Sequence, residues 1–233
     1  MIKINSLSKF YKKKLIIDDI SFEVPDNSIV GLEGKNGAGK STLINILGGL
    51  VSMDSGEILF DNVKLSKLNI LQKKQIGCVF ETPLYIEKLT GYEFFIFIAY
   101  MYDMPYNEAN LRTEKILDFF ELTQDSNKLI EEYSKGMKSK ISLGTALIHK
   151  PKYLLLDEPF DGIDEYFKPK IIAKLKQLSN EGTSILLISH DREMLHLLCD
   201  FTLELKNGKL IELIGKGYLS QISQVFSILA KFH

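Results

Sequence analysis

No stretch of the 233-residue chain comes near the roughly 20 consecutive apolar residues that a helix needs to cross a bilayer. The most apolar window, FFIFIAYMY at 94–102, is about half a span and reads as a buried or docking helix. The N-terminal MIKINSLSKFYKKK has neither an apolar h-region nor a cleavage site, so the expectation is a cytoplasmic protein. An excess of either charge is also lacking: 29 lysines and arginines stand against 30 aspartates and glutamates. With no global field to attract nucleic acid or an anionic membrane, broad DNA or RNA binding is not expected. Cysteine is scarce as well. Cys78 and Cys199 sit in apolar stretches without metal-ligand spacing, which reads as two buried free thiols in a reducing compartment. No internal repeat or low-complexity stretch occurs, and the length suits one large α/β domain or a core with a small subdomain.

What is present begins with strands. Residues 2–5 and LIIDDISFEV at 15–24 alternate, and SIVGLEG at 28–34 is a short apolar run ending in glycine. Leu43, Ile44, Ile46, Leu47 and Leu50 then recur at helical spacing, so a glycine-rich segment lies between a strand and a helix. SGEILFDN and IGCVF (76–80) read as further strands, and from Thr90 to Lys150 the pattern turns almost wholly helical. YLLLD (153–157) and SILLIS (184–189) are unbroken apolar runs of the kind found in parallel sheets covered on both faces, with the helix IIAKLKQL between them. FTLELKNGKLIEL reads as a hairpin turning at Asn207-Gly208. In the tail, Leu219, Ile222, Val225, Phe226 and Leu229 fall at helical spacing and are expected to pack back on the core.

The segment GKNGAGKST at 34–42 matches G-x-x-x-x-G-K-[ST] at Gly34, Gly39, Lys40 and Ser41. Glycines let the backbone wrap phosphates with its N–H groups pointing inward, and the helix that follows adds its positive end. Lys40 is expected to reach the β and γ phosphates and Ser41 to ligate Mg²⁺. Gly34, Asn36, Gly37, Gly39, Lys40, Ser41 and Thr42 are thus the candidate contacts for ATP. In YLLLDEP a buried strand carries Asp157 to its C-terminal end, where open α/β sheets place their ligands. Asp157 is expected to hold the Mg²⁺ shell, and Glu158 to polarise the water that attacks the γ phosphate. Taken alone, an apolar strand ending in Asp-Glu is a common structural feature; paired with GKNGAGKST it points to ATP hydrolysis.

Between these motifs lies EEYSKGMKSKISLGTALIHK. The order Tyr11, GKNGAGKST, YSKGM, YLLLDEP, DGID and Ile188-Ser189-His190-Asp191 resembles the nucleotide-binding cassette of ABC proteins over nearly the whole chain. The resemblance implies an α/β P-loop NTPase core with a mainly parallel sheet, an N-terminal antiparallel β part and an inserted helical subdomain. On that reading residues 1–81 and 151–233 form the catalytic core and 82–150 the helical subdomain. It further implies that Tyr11 stacks on adenine, that Ser134 and Gly136 contact the γ phosphate held by a second cassette, and that residues 161–164 communicate between the two sites. His190 matches the histidine that contacts the γ phosphate, whereas His149, His196 and His233 are taken as inert. Two cassettes, identical or related, close head to tail on two ATP molecules, and hydrolysis reopens them.

Three positions depart from the family pattern. Glu81 stands where glutamine is usual, and is expected still to ligate Mg²⁺ and to take part in coupling to the helical subdomain. Lys135 replaces the first glycine of the signature, and Asp161 replaces a serine. FETPLYIEKLTGYE is similar to the corresponding region of bacterial cassettes that export bacitracin or lantibiotics. The implied function is the ATPase subunit of an exporter of an antimicrobial peptide or drug, held at the inner face of the membrane by a separate integral permease. Tyr85, Tyr92, Phe94, Phe95 and Phe97 are candidates for the permease groove, against the plainer reading that they fill the subdomain's own core. The rival reading, a soluble cassette that remodels ribosomes or nucleic acid, lacks the expected second cassette or coiled-coil insertion. A non-hydrolysing sensor is disfavoured by Glu158 and His190.

Overall fold

The structure, a computed structural model, describes residues 1–83 and 85–215, with the backbone alone for 212–215. The apolar pattern at Leu219 to Leu229 and the position of His233 lie outside the described residues.

Two sheets organise the chain. The first is antiparallel and joins β1 (Ile2–Tyr11), β2 (Lys14–Val24), β4 (Ser55–Phe60) and β5 (Val63–Lys64) in the order β2-β1-β4-β5. Alternation decides which face is buried: Ile2, Ile4 and Leu7 of β1 and Ile17, Ile20 and Phe22 of β2 point into the core. The β4–β5 connection turns at Asp61 and Asn62, both with positive φ, as a tight hairpin requires.

The second sheet has the order β10-β9-β3-β8-β7-β6. Its parallel part comprises β3 (Ile29–Glu33), β6 (Ile76–Val79), β7 (Tyr153–Asp157), β8 (Ser184–Ile188) and β9 (Phe201–Lys206). The antiparallel β10 (Lys209–Gly215) completes it. All five residues of β3, of β7 and of β8 are buried, which accounts for their unbroken apolar sequences. The β9–β10 turn has φ of 51° at Asn207 and 81° at Gly208, the left-handed pair read from the Asn-Gly dipeptide.

Helices α1 (Lys40–Leu47), α2 (Ile70–Lys73), α3 (Gly91–Met101), α4 (Tyr106–Phe119), α5 (Lys135–Leu147), α6 (Lys168–Asn180) and α7 (Arg192–Leu198) fill the connections. Their starts are chemically marked. Thr90 and Glu93 form a reciprocal capping box at α3, Ser134 caps α5 by accepting from the Met137 N–H, and Asp191 caps α7 by accepting from the Met194 N–H. Helix α1 packs with the antiparallel sheet on one side of the parallel sheet, through Leu43, Ile44, Ile46 and Leu47. On the other side Phe94, Phe95, Leu117, Ile141 and Leu143 join Leu154, Leu156, Leu187 and Leu175 in one continuous cluster. The inserted helices therefore share a core with the sheet. Phe94 and Phe95 are buried, Tyr85 and Tyr92 are half-buried against that core, and Phe97, Tyr100 and Met101 are exposed. Among the described residues no helix is long and apolar enough to cross a membrane.

Candidate functional site

Three adjacent parallel strands, β3, β8 and β7, end side by side. Their C-terminal ends lead into the Gly34–Gly39 loop, the Ser189-His190 pair and the Asp157-Glu158 pair. The register brings Asp157 opposite Ile188 and Ile188 opposite Leu32, so the three exits share one edge of the sheet. This is the edge at which doubly wound folds bind ligands.

The loop after β3 is shaped by close backbone approach. A Cβ at Gly34 would stand 2.3 Å from the Leu205 carbonyl oxygen, and one at Gly39 would stand 2.9 Å from that of Ile16. Only glycine fits at either point. Lys40 is buried, and its Nζ donates to the Gly34 carbonyl at 2.7 Å and to that of Lys35 at 3.3 Å. The ammonium thus sits within the curl of the loop's own backbone. Ser41 and Thr42 follow in the first turn of α1, whose N-terminus opens on the same space. Tyr11 lies at the exposed end of the β1–β2 hairpin, paired in register with Lys14, and Lys9 Nζ stands 5.4 Å from its ring centre. The same hairpin reaches the loop through the Ile16 carbonyl beside Gly39.

A cleft of about 610 Å³ is lined by Asn36, Glu81, Lys135, Asp157, Glu158 and His190, among others. Burial pushes the Asp157 carboxyl up to about 6, the neighbouring Glu81 and Glu158 charges act in the same direction, and Ser41 and Lys40 oppose them. Glu158 has a φ of 48°, a left-handed conformation that non-glycine residues seldom adopt, and its N–H donates to the Ile188 carbonyl. Its Oε2 accepts from Ser189 Oγ at 3.2 Å and lies 3.0 Å from His190 Nδ1. Ser189 Oγ in turn accepts from the Asp191 N–H.

Among the described residues no three His, Cys, Asp or Glu side chains make a self-contained metal cage. Three oxygen donors are grouped here: the Asp157 and Glu81 carboxylates at the cleft and the Ser41 hydroxyl beside Asp157. Such a set fits Mg²⁺, which takes few protein ligands and completes its shell with water and phosphate oxygens.

Nearly all the candidates named from the sequence meet here. Asn36, Glu81, Asp157, Glu158 and His190 share the cleft with Lys135, while Gly34, Gly37, Gly39, Lys40, Ser41 and Thr42 form the adjoining loop and helix start. Ser134 and Gly136 lie at the start of α5, next to Lys135. Ser189 was not singled out from the sequence, although it stands inside the string Ile188-Ser189-His190-Asp191; only the fold brings it to Glu158. A separate cleft of about 660 Å³, bordered by Arg112, Lys150 and Lys174, opens near the N-terminal ends of β7 and β8, away from these groups. His149 is stacked on Tyr102 with ring centres 3.8 Å apart, and His196 is exposed on α7. Burial pushes both thiols, Cys78 and Cys199, up to about 12.

A glycine-built loop capped by a helix start, with two carboxylates at the end of a strand one removed from it, defines a P-loop nucleotide hydrolase. Residues 17–161 match the family described as ABC transporter. The chain is 36% identical over 211 residues to the linearmycin resistance ATP-binding protein LnrL of Bacillus subtilis, covering 91% of this chain and 68% of that protein. It is 31% identical to the lantibiotic transport ATP-binding protein SrtF of Streptococcus pyogenes, covering 91% of this chain and 89% of that protein. Among solved structures, the ATP-binding subunit of an ABC transporter superposes with a TM-score of 0.85 at 28% identity, covering 98% of this chain and 94% of that one. A dimeric ATP-binding cassette in a post-hydrolysis state with ADP and Pi gives a TM-score of 0.85 at 26% identity, covering 92% and 98%. The chain belongs to the ABC transporter family, as an ATP-binding and ATP-hydrolysing cassette.

Proposed function

We propose that the chain drives export, coupling ATP-dependent closure of two cassettes and hydrolysis to movement of an antimicrobial peptide or drug through a separate membrane permease. The observation that carries the hydrolytic part is the meeting of the Gly34–Thr42 segment, the Asp157-Glu158 pair and the Ser189-His190 pair at three neighbouring strand ends. The names of LnrL and SrtF support the export part. Exposed Phe97, Tyr100 and Met101 on α3 supply apolar surface for a permease's cytoplasmic segment.

Each residue then has a role. Backbone N–H groups of residues 34–42 and the Lys40 ammonium hold the triphosphate, and Tyr11 lies under the adenine. Ser41, Asp157 and Glu81 hold Mg²⁺, which when bound neutralises charge on the phosphate oxygens. Glu158 accepts a proton from the attacking water and His190 faces the γ phosphate; positioning and charge stabilisation supply most of the rate. Ser134 and Gly136 at the start of α5 offer a helix N-terminus to the nucleotide of the second cassette. The protein then resides on the inner face of the membrane, held there by its permease, and nucleic acid is not a partner.

Tagged Glu158→Gln protein, pulled down with MgATP from native membranes in gentle detergent, tests this assignment. Recovery of a polytopic membrane protein at fixed stoichiometry supports export; recovery of ribosomes or nucleic acid without one establishes the soluble remodelling role instead.

A further inference from the structure

The first two turns of α5 and the segment that follows Glu158 are tied together at several positions. Lys135 Nζ lies 2.8 Å from Asp161 Oδ2. A Cβ added at Gly136 would stand 2.6 Å from the Gly162 carbonyl oxygen, so the two backbones touch. Ser139 Oγ lies 2.6 Å from the Asp161 carbonyl oxygen and 3.1 Å from that of Lys135, so one hydroxyl spans both segments. Lys140 Nζ lies 3.9 Å from Asp164 Oδ2 and 3.9 Å from the centre of the Phe167 ring. Within the loop, the Asp161 N–H donates to the Glu158 carbonyl at 3.1 Å. A short path of contacts therefore runs from the α5 N-terminus to the backbone of Glu158.

Lys135 and Asp161 stand out along this path. Lys135 is the first residue of α5, where a positive charge opposes the positive end of the helix dipole. The Asp161 carboxylate supplies the missing negative charge at that spot. Both side chains are largely exposed, at 71% and 60%, so the pair adds little to global stability. Its effect is geometric, because it joins two segments that both line the cleft.

We propose that Lys135 and Asp161 are positioning residues for Glu158: their ion pair ties the start of α5 to loop 159–164 and so fixes where the Glu158 carboxylate stands. The lysine in place of a glycine and the aspartate in place of a serine are then one paired feature rather than two separate departures.

The test is a double-mutant cycle with Lys135→Gly, Asp161→Ser, their combination, and the charge exchange Lys135→Asp with Asp161→Lys. Three quantities are read: kcat and KM for ATP, and amide hydrogen exchange of residues 160–164 in nucleotide-free protein. Each single substitution is expected to lower kcat by about 5–10-fold with KM changed less than about twofold, and the double to cost no more than either single. Exchange in the loop rises in both singles, and the charge exchange restores protection and turnover. Additive losses in the double, or singles that leave loop exchange unchanged, overturn the proposal. The inference rests on the proposed role of Glu158, and the two fail separately: exchange without nucleotide reads the tie alone, whereas turnover of Glu158→Gln reads the carboxylate alone.

Discussion

His190 Nδ1 stands 3.0 Å from Glu158 Oε2, and Ser189 Oγ stands 3.2 Å from the same oxygen. The end of β8 thus holds one oxygen of the carboxylate. Among the described residues Oε1 has no hydrogen bond, which leaves it open to accept from a water. A side chain held this way on a left-handed residue is fixed by its neighbours and not by its own backbone preference. Removing His190 therefore removes an orienting contact as well as the group proposed to face the γ phosphate. His190→Ala is expected to lower kcat by about 10–100-fold while ATP affinity changes only a few-fold, and Ser189→Ala to lower kcat by a few-fold. Steady-state turnover beside equilibrium ATP binding separates the two effects.

Lys40 is the cation buried in the phosphate loop, where its Nζ is gathered by two backbone carbonyls. Lys40→Ala is expected to weaken MgATP binding by about 100-fold or more, the scale of a charge-assisted contact made away from bulk water. Titration calorimetry reads this directly. Affinity unchanged by Lys40→Ala contradicts the placement of the triphosphate in the 34–42 loop.

Glu81 lines the cleft and its charge acts on Asp157. If it supplies an oxygen to Mg²⁺, Glu81→Ala is expected to raise the Mg²⁺ concentration for half-maximal turnover by about tenfold, with Glu81→Gln in between. Should both variants keep the original Mg²⁺ dependence, turnover and transport, Glu81 is neither a ligand nor a coupling residue.

His149 gives a pH dependence to stability. It lies stacked on Tyr102, and burial pushes it down to about 4 from an ordinary 6.5, with the Arg112 charge acting in the same direction and the Ile76 backbone opposing both. The unfolded chain therefore takes up this proton first as pH falls. Its stabilising share is full above pH 6.5 and is lost as pH drops through 4, on the order of 3 kcal/mol between pH 7 and pH 4. His149→Phe keeps the stack but cannot titrate. Urea unfolding at several pH values is expected to show a shallower acid loss in this variant, and an unchanged slope contradicts the assignment.

The phosphate loop was legible in the sequence because each of its constraints is local: glycines at the turns, then a lysine and a hydroxyl at a helix start. The buried strands β7 and β8 were legible too, since YLLLD and SILLI have no polar face to present. Helix α3 was different. GYEFFIFIAYM is apolar almost all round, so periodicity did not tell Phe94 and Phe95, which are buried, from Phe97 and Met101, which are exposed. The Lys135–Asp161 pair was seen only as two separate departures, because the meeting of α5 with the loop after β7 is a matter of packing and leaves no spacing signal. Ser189 escaped notice for the same reason: its partner, Glu158, follows another strand, β7.

The central claim, that this cleft hydrolyses ATP with Glu158 accepting the water's proton, is tested most directly by single-turnover hydrolysis of radiolabelled MgATP by purified Glu158→Gln protein, with nucleotide binding measured on the same sample. The account predicts ATP affinity within a few-fold of the unsubstituted protein and a hydrolysis rate lower by about 10²–10⁴-fold. A hydrolysis rate that survives the substitution contradicts it.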